Sequence, residues 1–151
     1  MSLEAQIEQD LKQAMLAKDQ QVVSTLRLVK SALLYVKVEK GVRDTELDDG
    51  EVQALLSKEA KKRQESADLY EKGGNPDSAQ AELAEKAIIE KYLPQQIGED
   101  ELRQLVTETA SQLGITEPTK MGQLIGAVKG KVGAAGDGAV IAKLAKELLA
   151  K

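Results

Sequence analysis

The chain has 151 residues, no cysteine, no histidine, no Phe or Trp, and a net charge of −4. Disulfides, thiolate nucleophiles, imidazole bases and the usual zinc sites are therefore excluded. With 42% hydrophobic but only 2% aromatic residues, three prolines and almost no alternating β-branched runs, the core must be Leu, Ile, Val and Ala, which suits stacked helices better than sheets.

Leu3, Ile7, Leu11, Ala14 and Met15 recur at helical spacing, with Ser2 placed to cap the first helix. Asp19 caps a second, running to about Glu39 and stopping at Gly41. Its main stripe is Val22, Leu26, Val29, Leu33 and Val36, while Val23, Leu28, Leu34 and Tyr35 lie off it. A helix apolar on more than one side is the one the others are expected to pack around. After a polar connection, Asp48-x-x-Glu51 fits a capping box, and Leu47 and Val52 are spaced as a hydrophobic staple.

The third helix carries Val52, Leu55, Leu56, Ala60, Ala67 and Tyr70 on one face. Gly73 suits a left-handed position after it; Asn75 then caps the fourth helix, with Pro76 at its first position. That helix is expected to reach Tyr92 and stop before Pro94. Arg63 falls within the apolar stripe of the third helix, and Glu82 and Glu85 within the stripe of Ala81, Ile88, Ile89 and Tyr92. An antiparallel hairpin sets Arg63 opposite Glu82 to Glu85. The arrangement reads either as an internal ion pair that fixes helix register or as a partly exposed anion site.

Residues 93–98, bracketed by Pro94 and Gly98, read as a boundary between domains at 1–93 and 99–151. Beyond it, Leu102, Leu105, Val106, Ala110 and Leu113 form the face of a fifth helix ended by Gly114. A shorter helix after Pro118 carries Met121, Leu124, Ile125 and Val128, and the last, from near Asp137, buries Ile141, Leu144, Ala145 and Leu148. The fold class is all-α: a four-helix N-terminal domain and a small three-helix C-terminal domain.

Charge is uneven. Residues 1–98 carry 14 basic and 18 acidic side chains, whereas 118–151 carry six lysines against Asp137 and Glu147. A polyanion should meet the C-terminal end first. Gly122, Gly126 and Gly130 recur every four residues there, which permits close approach of a neighbouring helix or of a ligand. The loop from Gly130 to Gly138 reads as flexible and leads into a helix N-terminus beside Lys129 and Lys131, a place where backbone N–H groups can hold phosphate. It is not a Walker loop, and without an aromatic side chain nearby it cannot stack bases.

Carboxylate pairs such as Asp48 and Asp49 sit at helix starts with no adjacent base or nucleophile. No catalytic constellation is legible, and neither cofactor nor metal is expected. The cluster Lys58, Lys61 and Lys62 is diluted by Glu59 and Glu65 and reads as a solvated face. The start MSLEAQIEQD lacks the pattern of a secretory signal, and no apolar run approaches the roughly 20 residues needed to span a bilayer. The expectation is a soluble, cytoplasmic protein with no membrane partner.

Leu26-Arg27-x-x-Lys30-Ser31-Ala32, Lys62-Arg63-x-Glu65-Ser66 with Tyr70, Glu82-x-x-Glu85, Tyr92-Leu93-Pro94, Met121-Gly122 and Asp137-Gly138 follow in order along the chain. Together they resemble the GatB/YqeY family. That resemblance implies two helical domains, the second similar to the tail of the GatB subunit of glutamine-dependent tRNA amidotransferase. It implies tRNA as a partner, an amidotransferase or aminoacyl-tRNA synthetase as a protein partner, and a link to carbon–nitrogen ligation with glutamine as amide donor. Two positions depart from the family pattern: Lys120 stands where an acidic residue is usual, and Gly133-Ala134-Ala135-Gly136 replaces a lysine- and arginine-bearing loop.

The reading that follows is a tRNA-binding helical accessory protein, with Lys129, Lys131 and Lys143 meeting phosphate and Gly126 and Gly130 permitting approach. Its alternatives are an accessory subunit in amide transfer, or a protein-interaction scaffold built on the Arg63 hairpin.

Overall fold

Ser2 begins the first helix through its side chain: Oγ accepts the Ala5 N–H at 3.1 Å in the computed structural model, which describes residues 1–150. Helix α1 (Leu3–Ala17) ends at Lys18, which takes the left-handed conformation (φ 59°). One residue later Asp19 caps α2 (Gln20–Lys40), accepting from the Val22 N–H at 3.3 Å. Gly41 ends α2 with φ 72°, where a residue without Cβ avoids strain. Asp48 caps α3 (Asp49–Lys72) by accepting the Glu51 N–H at 2.8 Å, with Leu47 and Val52 buried on either side of the turn. The Glu51 carboxylate pairs with Lys40 at the end of α2.

Asn75 accepts from the Ser78 N–H at 3.2 Å and starts α4 (Pro76–Glu90) with Pro76 in its first turn. The left-handed glycine of the α3–α4 turn is Gly74 (φ 76°), not Gly73, which stays at φ −80° while its N–H closes the last turn of α3 onto Leu69. Helix α4 also stops earlier than its periodicity suggests. It ends at Glu90, and Tyr92 lies in the turn beyond.

Within Met1–Leu93 the core gathers Ile7, Leu26, Leu33, Val52, Leu56 and Ile89, all 2% exposed or less. Burying each such side chain stabilises the fold by about 2 kcal/mol relative to leaving it in water. Helix α2 touches α1, α3 and α4, and α3 with α4 forms the most extensive helix pair. The face of α2 carrying Leu28 and Tyr35 meets no helix; both are exposed. Among the stripe positions of the other helices of this bundle, Met15, Tyr70 and Ala81 also face solvent. Periodicity identifies the face of a helix; it does not say how far along that face a partner extends.

From Pro94 on, α5 (Glu99–Leu113), α6 (Met121–Val132) and α7 (Gly138–Leu149) pack mutually around Leu102, Val106, Leu124, Val128, Ile141 and Leu144. A short 3-10 turn, Pro118–Lys120, precedes α6. Leu113, the last residue of α5, is exposed, and Ile115 after the Gly114 turn is buried in its place. Residues 94–98 are part of this bundle: the Ile97 N–H donates to Ala135 O at 2.7 Å, and the Gln96 amide donates to Ala134 O at 2.9 Å. The described residues form seven α-helices and no strand.

Candidate nucleic-acid interface and the buried ion cluster

The glycine row of α6 faces outward. A Cβ built at Gly122, Gly126 or Gly130 meets nothing within 4 Å, so the row is not the tight helix contact its spacing allows. Leu124 and Val128 fill the opposite side. Lys129 and Lys131 do not share a face; two residues apart on a helix, their side chains diverge by about 160°. Lys131 turns to α5, its ammonium donating to Thr109 Oγ1 at 3.0 Å and Gln112 Oε1 at 2.9 Å. Lys129 turns to the start of α7, where its Cε lies 3.2 Å from the Cβ that Gly138 lacks.

Lys143 is drawn back to α5 by Glu99, at 3.4 Å; the same carboxylate meets Arg103 at 3.5 Å. Lys120, Lys129 and Lys146 have no carboxylate partner among the described residues.

The glycine-rich loop is not a free strap. Gly133–Ala135 forms a 3-10 turn, and the carbonyls of Ala134 and Ala135 are tied to Gln96 and Ile97. Two of its glycines are sterically required. Gly133 has φ 55°, and a Cβ at Gly136 would sit 2.5 Å from Val132 Cγ2. At the start of α7, Asp137 accepts the Ala139 N–H at 2.8 Å, so the chain's own carboxylate occupies one of the donors open to a phosphate.

In the α3–α4 hairpin Arg63 is 8% exposed. Its Nε donates to Glu85 Oε2 at 3.3 Å, and Nη1 donates to the Glu59 carboxylate and, at 3.2 Å, to the Glu59 carbonyl. Glu82 is not among its partners. The sequence reads Glu59 as part of a solvated face; its carboxylate instead turns in to Arg63, a partner that i,i+4 spacing on one helix makes look like an ordinary surface pair. Glu59 and Glu85 occupy Nη1 and Nε of the guanidinium, so an external anion approaching those donors would meet two carboxylates. Lys62 meets Glu59 at 3.4 Å, and Lys86 bridges to Gln64 at 2.8 Å and Glu90 at 3.7 Å. With Ala67 and Ala79 buried between them, the two helices are held here mainly by small residues and paired charge.

Such a chain is an all-helical protein with one helix, α6, that turns a row of bare glycine backbone to solvent. A family model described as Yqey-like protein matches residues 4–149, and the chain belongs to that family. It is similar to three proteins named "Altered inheritance of mitochondria protein 41, mitochondrial". The Meyerozyma guilliermondii protein is 31% identical over 132 residues, 83% of this chain and 67% of that one. The Eremothecium gossypii protein is 35% identical over 89 residues, 59% of this chain and 48% of the relative. The Vanderwaltozyma polyspora protein is 33% identical over 87 residues, 58% and 46% respectively. The match thus spans about half the length of the last two relatives.

These relatives correct one expectation. The cytoplasmic location read from the sequence does not stand, because all three are named as mitochondrial proteins. The expectation rested on features the chain lacks, and lacking a secretory pattern does not choose among the remaining compartments. No helix among the described residues is long and apolar enough to cross a membrane.

Proposed function

We propose that this protein is a helical accessory protein that holds tRNA through its C-terminal bundle. The observation that carries the reading is the solvent face of α6, where Gly122, Gly126 and Gly130 leave the backbone bare. A ridge of sugar and phosphate can approach such a face more closely than it can approach side chains. Lys129 lies at its edge beside the positive end of the α7 dipole, and Lys120 and Lys146 add unpartnered charge. Helix α6 itself carries Lys129 and Lys131 and no acidic residue. Recognition of this kind rests on shape and charge, not on base identity.

The family resemblance supplies tRNA as the polyanion and extends the reading to glutamine-dependent amide transfer. There the protein would present tRNA to an amidotransferase or synthetase partner; the ligase chemistry would belong to that partner. Lys129 is the principal phosphate contact. Lys131 and Lys143, already engaged with neighbours in the free protein, contribute less.

Filter binding of tRNA to full-length variants tests the reading. Lys129→Glu should weaken binding by about tenfold, as expected when one close phosphate contact becomes repulsive. Lys143→Glu should do less. Equal affinity for all three proteins overturns the reading.

A further inference from the structure

Helix α2 has a second apolar face that no part of the bundle covers. Leu28, Leu34, Tyr35 and Val38 are 52%, 45%, 71% and 56% exposed. On the helix they fall in one arc about 120° wide, opposite the buried Leu26, Val29 and Leu33. Four large apolar side chains in one stripe exceed the scattered singles of an ordinary surface. Arg27 lies inside the same arc. The other cations of α2 are matched, Lys30 to Glu8, Lys37 to Glu4 and Lys40 to Glu51, whereas Arg27 has no carboxylate partner among the described residues. Leu34 also forms one wall of a groove of about 420 Å³ between α1 and α2, shared with Glu4, Glu8, Lys30, Ser31 and Lys37.

We infer that this face of α2 docks an amphipathic helix of a partner protein, one that lays apolar side chains along Leu28, Leu34, Tyr35 and Val38 and brings a carboxylate to Arg27. Helix-in-groove recognition needs that combination of apolar anchors at three- and four-residue spacing and one charge that fixes register. Tyr and Arg are also the side chains that dominate such interfaces. A second copy of this chain is the competing occupant, since Glu39 lies about 20° beyond the edge of the arc, and a dimer mass is therefore one of the outcomes tested. An RNA strand fits poorly: Leu28, Leu34 and Val38 give phosphate nothing, and the arc holds a single cation. The inference is independent of tRNA binding by α6, which involves other residues.

Fluorescence anisotropy with the full chain tests it, using a leucine-striped helical peptide flanked by glutamates, the same peptide flanked by lysines, and a polyuridine oligonucleotide. The glutamate peptide should bind about tenfold tighter than the lysine peptide. Arg27→Glu should reverse that preference, and Tyr35→Ser should weaken both peptides, with unfolding temperatures unchanged because both positions are exposed. Failure of the glutamate peptide to bind, equal affinity for both peptides, or indifference to Arg27→Glu overturns the inference. So does tighter binding of the oligonucleotide that Tyr35→Ser abolishes, or a concentration-dependent dimer mass that Tyr35→Ser removes.

Discussion

The Tyr92 hydroxyl donates to Asp10 Oδ2 at 2.6 Å, joining residues 82 positions apart. Asp10 Oδ1 accepts in turn from the Gln6 side-chain amide at 2.9 Å. The turn after α4 is thereby fastened to the middle of α1. Burial and the adjacent Asp10 carboxylate push the Tyr92 phenol well above its usual value of 10.0, because both disfavour a second negative charge.

The neutral phenol is the form the folded state prefers. Its contribution is fully present below pH 10 and is lost as pH rises above that value, where the unfolded chain gives up the proton first. Denaturant unfolding between neutral pH and pH 11 should show stability falling at the alkaline end. In Tyr92→Phe that fall should be shallower, and stability at neutral pH lower by about 1 kcal/mol for the lost hydrogen bond. A variant whose alkaline profile matches the parent would refute the assignment.

Arg63 offers a sharper loss. Removing a buried guanidinium that answers Glu59 and Glu85 leaves two carboxylates facing each other within the hairpin. Arg63→Ala should therefore cost about 3 kcal/mol in urea unfolding. Adding Glu59→Gln and Glu85→Gln to Arg63→Ala should recover part of that loss, whereas Glu82→Gln should recover none.

At the start of α3, the Glu51 backbone N–H that donates to Asp48 holds its carboxyl below the usual carboxylate range, with Lys40 adding to the effect. A lowered carboxyl gives stability that is present above its ordinary value of 3.8 and lost as pH falls through the lowered one. Asp48→Asn keeps an oxygen for the cap and should flatten the acid limb of an unfolding-versus-pH curve. Asp48→Ala should lower stability across the neutral range as well.

The glycines of the C-terminal bundle divide into two kinds. Gly126 has ordinary helical geometry with open space where a Cβ would go, so Gly126→Ala should raise stability by about 1 kcal/mol. Gly136→Ala would collide with Val132 and should lower the unfolding temperature. If α6 holds tRNA, Gly126→Ala pays for its added stability with weaker tRNA binding. A variant that gains stability and binds tRNA unchanged would show that the bare backbone is not used.

How much could be read from the chain alone follows from the range of the forces involved. Ser2, Asp19, Asp48, Asn75 and Asp137 are all found at helix starts, because a cap is settled within three residues of sequence. The all-α class was equally legible, from periodicity and from the scarcity of aromatic and β-branched alternation. Failures lie where a distant partner decides. Tyr92 looks like one more stripe residue until Asp10 is brought to it, and Lys131 looks free until α5 supplies Thr109 and Gln112. Met15, Tyr70 and Leu113 sit near helix ends, where the apolar pattern outruns the neighbouring helix. The spacing of Gly122, Gly126 and Gly130 allowed a helix or a ligand as neighbour, and only the packing of the bundle left that side open.

The salt dependence of tRNA binding by the full-length protein tests the central claim most directly. With Lys120, Lys129 and Lys146 as the cations of residues 94–150 that no other side chain engages, the logarithm of affinity should fall against the logarithm of salt with a slope of about −3, and Lys129→Glu should make that slope shallower by about one contact. An affinity that does not change with salt, or a slope that Lys129→Glu leaves untouched, would contradict it.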